Sequence, residues 1–462
     1  MILRYPLSKL SFRLTVLSSL LLAQSIAHSQ SLDEAIRSAL VQYPTIIAAQ
    51  ARLEAARSDV TRAQGQHYPQ ISWQGTSSNY SGVNSNGGPA ASGLLPDNTW
   101  IQSPTVTLNI WSGGRIQADV DRSTSNSVAR FHQQRLTRDE VALLALEGYM
   151  NWARAQELVG LARTNLNAHI KILNDVKKIT AVDQGRMIDQ DQAEVRMENA
   201  ALILKQRETE LAVAAQRLER MLLGARPTKP VGIDKIRGEL PGSAEAALGY
   251  VNDLHPAIAI QLAQINAARA SLASARSQYS PTVNLSYGKQ FTQGTGQGDY
   301  ITQVTINFPI FSGGSTYGAV GSASNELLAT QQGLNETRLL IKERVLSIWP
   351  ELQASRARKE LAQRQAQTGL KLVEGYQQQF LVGRRSLLDL LTVQNDLYVY
   401  QSSATIATYD ERLAKGRMLA TIGKLALAYQ GNQTTGQQTT AESKDSAEMG
   451  YTLKLNPQPI AP

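Results

Sequence analysis

Apolar positions along this chain follow two different periods. Over residues 31–67, Ala, Leu, Ile and Val recur at helical spacing, and Gly and Pro are absent except for Pro44 and Gly65, which predicts a helix stopped by Pro69. From Arg115 to Arg226 there is no proline, and apolar residues recur through Val141, Leu144, Leu158, Leu161, Leu166, Ile170 and Leu173. At 1.5 Å per residue, a helix from about 115 to about 180 rises roughly 100 Å, which suits a coiled-coil-like tube better than a compact globule. Pro350 is expected to interrupt the equivalent helix of the second half as a kink. Between the helices the period drops to two. Val106, Leu108 and Ile110 alternate with Thr107 and Asn109, and Val304, Ile306, Phe308 and Ile310 alternate with Thr305, Asn307 and Pro309. These patterns predict strands at 70–80, 100–111, 282–292 and 300–311.

The chain repeats itself. A shift of 212 places Pro44 on Pro256, Ile46 on Ile258, Ala55-Ala56-Arg57 on Ala267-Ala268-Arg269 and Pro69 on Pro281. Further on, a shift of 200 places Trp111-Ser112-Gly113-Gly114 on Phe311-Ser312-Gly313-Gly314, Arg138 on Arg338 and Asp189 on Asp389. The 12-residue change falls between Pro69 and Trp111, where a loop can shorten without disturbing either half. The expected organisation is a signal peptide over 1–29, a first repeat over 30–224, a linker over 225–243, a second repeat over 244–430 and a disordered polar tail over 431–462, rich in Gln, Thr, Ser and Pro.

Composition narrows what such a chain can be. Arg4, Lys9 and Arg13 precede the apolar run Leu14 to Ala23 and the small-residue site Ala27-His28-Ser29, the pattern of a secretory leader. Without those three, 43 basic residues face 38 acidic ones, which is not a nucleic-acid binder's balance. No cysteine is present, which excludes disulfides, thiolate metal sites and an acylated lipoprotein cysteine. No downstream segment reaches the about 20 apolar residues a membrane helix needs, so any membrane span must be built from strands.

The four strand segments hold nine of the 27 aromatic residues and one charged residue, Lys289. Trp111 and Phe311 stand at one end of the hairpins, and Tyr80, Trp100, Phe291 and Tyr300 at the other, as expected of two interfacial girdles. Lys289 falls on the outward face and is expected near the headgroups. The connections 81–99, rich in Gly, Asn, Ser and Pro, and 293–299, rich in Gly, read as external loops. Four strands cannot close a barrel, since membrane barrels start at about eight, and an open edge cannot face lipid. Several copies must pool their strands. Each strand pair runs into a long helix at Ser-Gly-Gly, where glycine permits the turn.

This layout resembles the TolC family of outer-membrane channels. The duplicated order of helix, Pro, strand, loop, strand, (Trp/Phe)-Ser-Gly-Gly and helix carries the resemblance, together with Phe380-Leu-Val-Gly383-Arg-Arg385-Ser-Leu-Leu-Asp389-Leu-Leu and Asn395-Asp396-Leu397-Tyr398. It covers nearly all of residues 31–428. It implies an α+β membrane protein: a homotrimer whose twelve strands, four per protomer, form one outer-membrane β-barrel that continues into a long periplasmic α-helical barrel. The implied partners are outer-membrane lipid, a periplasmic adaptor (membrane fusion) protein and an inner-membrane ABC or proton-driven transporter, with no nucleic acid and no cofactor or metal. An equatorial collar is implied at 225–243.

The resemblance further places Asp389 on a constricting carboxylate ring at the periplasmic entrance, Arg385 in the network that latches it, and Asp189 on the corresponding first-half aspartate. Two positions depart from the family pattern: its second ring carboxylate is Thr392 here, and the latch tyrosine is Phe380. The adaptor-docking turns fall at Val182, Gly185 and Arg186 and at Val382, Gly383 and Arg384, with Gly185 and Gly383 expected to end helices in the left-handed conformation. Three aspartates on one axis repel each other and attract cations. Ser386 and Asp389, three apart, also fit a helix cap, and the two roles are compatible.

The five histidines, His28, His67, His132, His169 and His255, stand far apart, and no zinc-protease, Walker or nucleophile-elbow motif occurs. Gly294-Thr-Gly296-Gln-Gly298 lies in a hairpin loop with no helix to follow. His67, Tyr68 and Tyr279 are expected to pack where helix meets strand. The sequence therefore reads as a passive exit duct rather than an enzyme. The Asp183-Gln-Gly-Arg-Met-Ile-Asp189 turn resembles the type I protein-secretion branch; small-molecule efflux of drugs or metals is the alternative. A non-conducting helical envelope or adaptor protein is the alternative of another class.

Overall fold

The computed structural model describes residues 31–79, 98–225, 228–292 and 299–430. The expected signal peptide, the girdle residue Tyr80 and the polar tail lie outside them. The element order is α1 (Leu32–Gln42), α2 (Pro44–Gln64), β1 (Gln70–Asn79), β2 (Asn98–Trp111), α3 (Arg115–Thr180), α4 (Met187–Met221), α5 (Ala244–Leu248), α6 (Pro256–Ser277), β3 (Thr282–Thr292), β4 (Asp299–Asn307), α7 (Ser315–Leu381), α8 (Leu387–Thr421) and α9 (Leu425–Tyr429). Helix, hairpin strand pair and two long helices thus occur twice. Pro44 and Pro256 each open a helix at a position where a missing N–H costs nothing.

The chain divides into two compact units. Among the described residues, the first comprises those of 31–39, Leu144–Arg237 and Ser355–Leu413, and the second those of Leu40–Leu143, Gly238–Ala354 and 414–430. In the first unit, the segment after α4 is tied down rather than free. The buried Tyr149 hydroxyl donates to Val231 O and accepts from Val231 N–H at 3.2 and 3.0 Å, and Leu32 N–H donates to the same carbonyl at 3.0 Å. Arg237 pairs with Asp33 at 2.6 Å, and Arg412 pairs with Asp234.

In the second unit, all four strands form one antiparallel sheet in the order β1-β2-β3-β4, leaving β1 and β4 as edges. The same unit holds the buried Asp139 carboxylate, which accepts the N–H of Ala426 at 2.8 Å and so caps α9, and His255, whose Nε2 meets Thr421 O at 3.0 Å.

Four expectations are corrected. The helix expected over 31–67 is two, α1 and α2, parted at Tyr43, which is extended because the ring of Pro44 disfavours a helical residue before it. Pro350 does not end its helix: α7 runs through it from Ser315 to Leu381, because a proline removes one amide donor while the flanking turns keep theirs, which allows a kink without a break. β4 ends at Asn307 instead of 311. Its last pair is Asn307 with Thr282, the residue after Pro281, so Phe308 to Phe311 have no strand to face, and Pro309 has no N–H to offer one. His67, Tyr68 and Tyr279 do not pack at the helix–strand junctions; His67 is exposed, and the two tyrosines are 68% and 52% exposed.

Candidate functional site: two helical turns and an amphipathic sheet

In the first unit, one apolar cluster gathers the ends of four helices: Ile172, Leu173 and Val176 of α3, Ala193 of α4, Phe380 of α7, and Leu387, Leu390 and Leu391 of α8. Burial of these side chains, worth roughly 1.5–3 kcal/mol each for the large ones, holds the α3–α4 and α7–α8 turns at one end of the unit.

The α7–α8 turn has a Schellman geometry. Gly383 takes φ +75°, its N–H donates to Phe380 O at 3.0 Å, and Arg384 N–H donates to Gln379 O at 2.9 Å. Ser386 and Asp389 then form a reciprocal cap on α8: Asp389 N–H donates to Ser386 Oγ at 3.1 Å, and Ser386 N–H donates to Asp389 Oδ2 at 3.4 Å. The cap engages Oδ2, and the Asp389 side chain remains 44% exposed. Arg385 Nε donates to Gln379 Oε1 at 3.1 Å, Nη1 lies 3.9 Å from Asp389 Oδ2, and the guanidinium sits 4.6 Å over the ring of Tyr376. The aromatic partner of Arg385 is therefore Tyr376. Phe380, expected at the entrance, is 7% exposed inside the apolar cluster, because it faces the α8 leucines one turn further along α7. Thr392 is exposed and returns its hydroxyl to Leu388 O at 2.8 Å. Val382 and Arg384 are exposed.

The α3–α4 turn is built differently. Asp183 accepts the N–H of Gly185 at 3.1 Å, and residues Gln184–Arg186 form a 3-10 turn leading into α4. Gly185 does not adopt the left-handed conformation expected of it, since α3 already ends at Thr180. A side chain there would meet Asp183 Oδ1 at 3.2 Å, so the glycine makes room for that carboxylate. Arg186 grips Asp189 Oδ2 with Nε and Nη2 at 2.8 and 2.7 Å, joining two residues that the sequence assigned to separate roles. Thr180 Oγ1 donates to Gln190 Oε1 at 3.1 Å across the turn. Val182 is 91% exposed.

The sheet has two chemically distinct faces. Partners across antiparallel strands share a face, so the register places Ile71, Val106, Tyr287 and Thr302 on one row, and Leu108, Leu285 and Val304 on the next. The other face carries Gln70, Ser72, Thr105, Thr107, Asn109, Asn284, Ser286 and Gln303, with Asn109 Nδ2 donating to Asn284 Oδ1 at 2.8 Å. A bulge between Asn109 and Trp111 shifts the alternation by one, setting Trp111 opposite Val283 on the apolar face. Trp111 and Tyr300 thus stand on that face near opposite ends of the hairpins, and Phe311, just past the sheet, is 87% exposed. Trp100 pairs with Ser77, and Phe291 with Gln102, toward the Tyr300 end. Lys289 lies opposite Tyr300 with Nζ 4.6 Å over its ring, and Tyr287 stacks on Tyr300 at 5.8 Å.

Tyr376, Gln379 and Gln190 were not singled out from the sequence. Their contacts cross a turn whose geometry depends on how each helix is capped, and no residue spacing encodes that.

Comparison with known proteins agrees with this geometry. The family model described as outer membrane efflux protein matches residues 35–224 and 251–423. Outer membrane efflux protein BepC of Brucella suis is 26% identical over 325 residues, covering 67% of this chain and 71% of that protein. The probable efflux pump outer membrane protein TtgC of Pseudomonas putida is 22% identical over 414 residues, covering 84% and 81%. Among solved structures, the outer membrane protein VceC of Vibrio cholerae superposes with a TM-score of 0.71 at 18% identity, covering 85% of this chain and 96% of VceC. The open-state MtrE outer membrane channel of Neisseria gonorrhoeae superposes with a TM-score of 0.73 at 15% identity, covering 86% and 89%.

Proposed function

Because the chain belongs to the outer membrane efflux protein family, whose members are outer-membrane channels extending into the periplasm and not enzymes, we propose that three copies pool their sheets into one twelve-stranded barrel and form an exit duct. The observation that carries this reading is the sheet itself. It is apolar on one face and polar on the other, and it is open along β1 and β4. Open edges cannot stand in lipid, and a polar lining facing an apolar exterior is what a water-filled barrel requires.

In this reading, the two turns form the periplasmic entrance. Asp389 from each protomer makes the constricting ring, Arg385 holds the turn against Tyr376 and Asp389, and Asp189 is kept in place by Arg186. The exposed Val182 and Val382, with Gly185, Gly383 and Arg384, offer the docking surface for a periplasmic adaptor, which couples the duct to an inner-membrane ABC or proton-driven transporter. Tripartite small-molecule efflux is the cargo class supported by the efflux relatives BepC and TtgC. Type I protein secretion is the second reading, supported by the resemblance of the Asp183-Gln-Gly-Arg-Met-Ile-Asp189 turn to that branch.

Heat-modifiable trimers in outer-membrane fractions and discrete conductance in planar bilayers are the expected results. A water-soluble monomer without conductance would overturn the duct and favour a non-conducting envelope protein. Deleting the gene separates the cargo classes: increased drug or metal susceptibility supports efflux, and loss of a secreted protein supports type I secretion.

A further inference from the structure

Helix α6 carries two arginines, Arg269 and Arg276, two turns apart on one face. They border a hollow of about 490 Å³ whose lining also includes Gly113, Leu272, Ser277 and Ser280, with no acidic residue. Arg269 Nη1 donates to Asn266 Oδ1 at 3.1 Å, leaving the rest of its fork available. Among the described residues, the Arg276 guanidinium has no ion-pair or hydrogen-bond partner.

Gly113 shapes this hollow. At φ +63°, its missing side chain would lie 2.3 Å from Ser280 Cβ and 2.9 Å from Ser277 O, so any larger residue would collide with the α6–β3 junction. The level within the unit is also informative. Gly113 is two residues past Trp111 on the apolar face, and Ser277 and Ser280 flank the exposed Tyr279. Exposed aromatics at the edge of an apolar strand band mark a membrane–water interface.

We propose that this hollow binds the phosphate headgroup of a phospholipid of the adjoining leaflet, with Arg269 and Arg276 clamping the phosphate and the Ser280 hydroxyl donating to its oxygens, the Ser277 hydroxyl being committed to Ser274 O at 2.6 Å. Guanidinium forks match phosphate geometry, each able to donate two parallel N–H bonds. Leu272 supplies the apolar contact for the glycerol end. The site rests on the duct reading in one respect, that the strands stand in a bilayer.

The test uses the full-length protein in detergent, with short-chain phosphatidylglycerol, the uncharged diacylglycerol of the same chain length and inorganic phosphate as probes, read by native mass spectrometry. Wild type is expected to hold phosphatidylglycerol and neither of the others at equal concentration. The Arg269→Gln/Arg276→Gln double variant is expected to bind it about tenfold or more weakly, with Arg276→Lys weakened less than Arg276→Gln. Unchanged affinity in the double variant, or equal affinity for diacylglycerol, overturns the site. Inorganic phosphate binding as tightly as the lipid overturns the lipid assignment in favour of a free anion. If the double variant does not assemble, equal affinity of Arg276→Lys and Arg276→Gln overturns the site. Bilayer conductance on the same preparations separates the two readings: conductance without lipid discrimination removes the headgroup site alone, and absent conductance removes the duct.

Discussion

Ser386 and Asp389 hold each other's backbone at the start of α8, each side chain accepting the other's N–H at 3.1 and 3.4 Å. The carboxylate proposed for the constriction is thus also a structural cap, and its two roles are separable by mutation. Asp389→Asn keeps an acceptor oxygen and removes the charge, so divalent-cation block of the channel should fall about tenfold or more while stability changes little. Ser386→Ala should cost about 1 kcal/mol and leave the block intact. Single-channel recording with divalent titration, beside urea unfolding, checks both; block that persists in Asp389→Asn counts against the ring.

Arg385 and Phe380 should behave oppositely. Arg385 is an exposed residue resting on the Tyr376 ring, so Arg385→Ala should cost no more than about 1 kcal/mol and increase conductance by loosening the turn. Tyr376→Ala should reproduce that gain and Tyr376→Phe should not, because only the ring face is used. Phe380→Ala should instead cost about 3–5 kcal/mol through the cavity it leaves among the leucines. Conductance and denaturation midpoints measured side by side read this contrast.

Acid should relieve one buried group and strain another. Burial pushes Asp139 up to about 6 from 3.8, against the lowering pull of the Ala426 amide and of Arg135. A raised carboxylate pKa means that the folded protein prefers the protonated form. The corresponding stability is full below pH 3.8 and is lost as pH rises through about 6. Asp139→Asn, which retains the acceptor for Ala426, should therefore stabilise the protein by about 3 kcal/mol at pH 7.5, with the gain vanishing below pH ~4. His132 acts in the other direction. Burial, then Arg135, lowers it to about 4 from 6.5, so its contribution is present above 6.5 and is lost as pH falls toward 4. His132→Gln should flatten the decline over that range. Urea midpoints against pH for both variants test the two signs.

The duplicated glycines should not tolerate alanine equally. Gly113 and Gly313 both take φ near +62°, but only Gly113 has neighbours within contact of an added Cβ. Gly313→Ala should cost about 1–2 kcal/mol of backbone strain. Gly113→Ala adds the collision with Ser280 and should abolish trimer assembly or displace the α6–β3 junction, seen as loss of the heat-modifiable band.

The repeat, the strand pairs and the long helices were legible because each rests on a local pattern. Proline positions, period-two alternation and a conserved offset between Trp111-Ser-Gly-Gly and Phe311-Ser-Gly-Gly need no knowledge of distant contacts. The turns were only partly legible. Gly383 is left-handed as its spacing suggested, yet Gly185 is not, because Asp183 ends the first turn through its side chain. Phe308 to Ile310 alternate like a strand, yet pairing needs a neighbour, and β3 begins too late to supply one.

By itself, then, the order of residues determined a duplicated helix-and-hairpin chain whose strands are too few to close a barrel and nearly free of charge. The tertiary structure decided which side chains meet: Arg385 with Tyr376 rather than Phe380, Arg186 with Asp189, and Trp111 turned onto the apolar face by a single-residue bulge. Periodicity is a property of one segment and survives in the sequence, whereas these meetings depend on caps, bulges and packing between segments far apart in the chain.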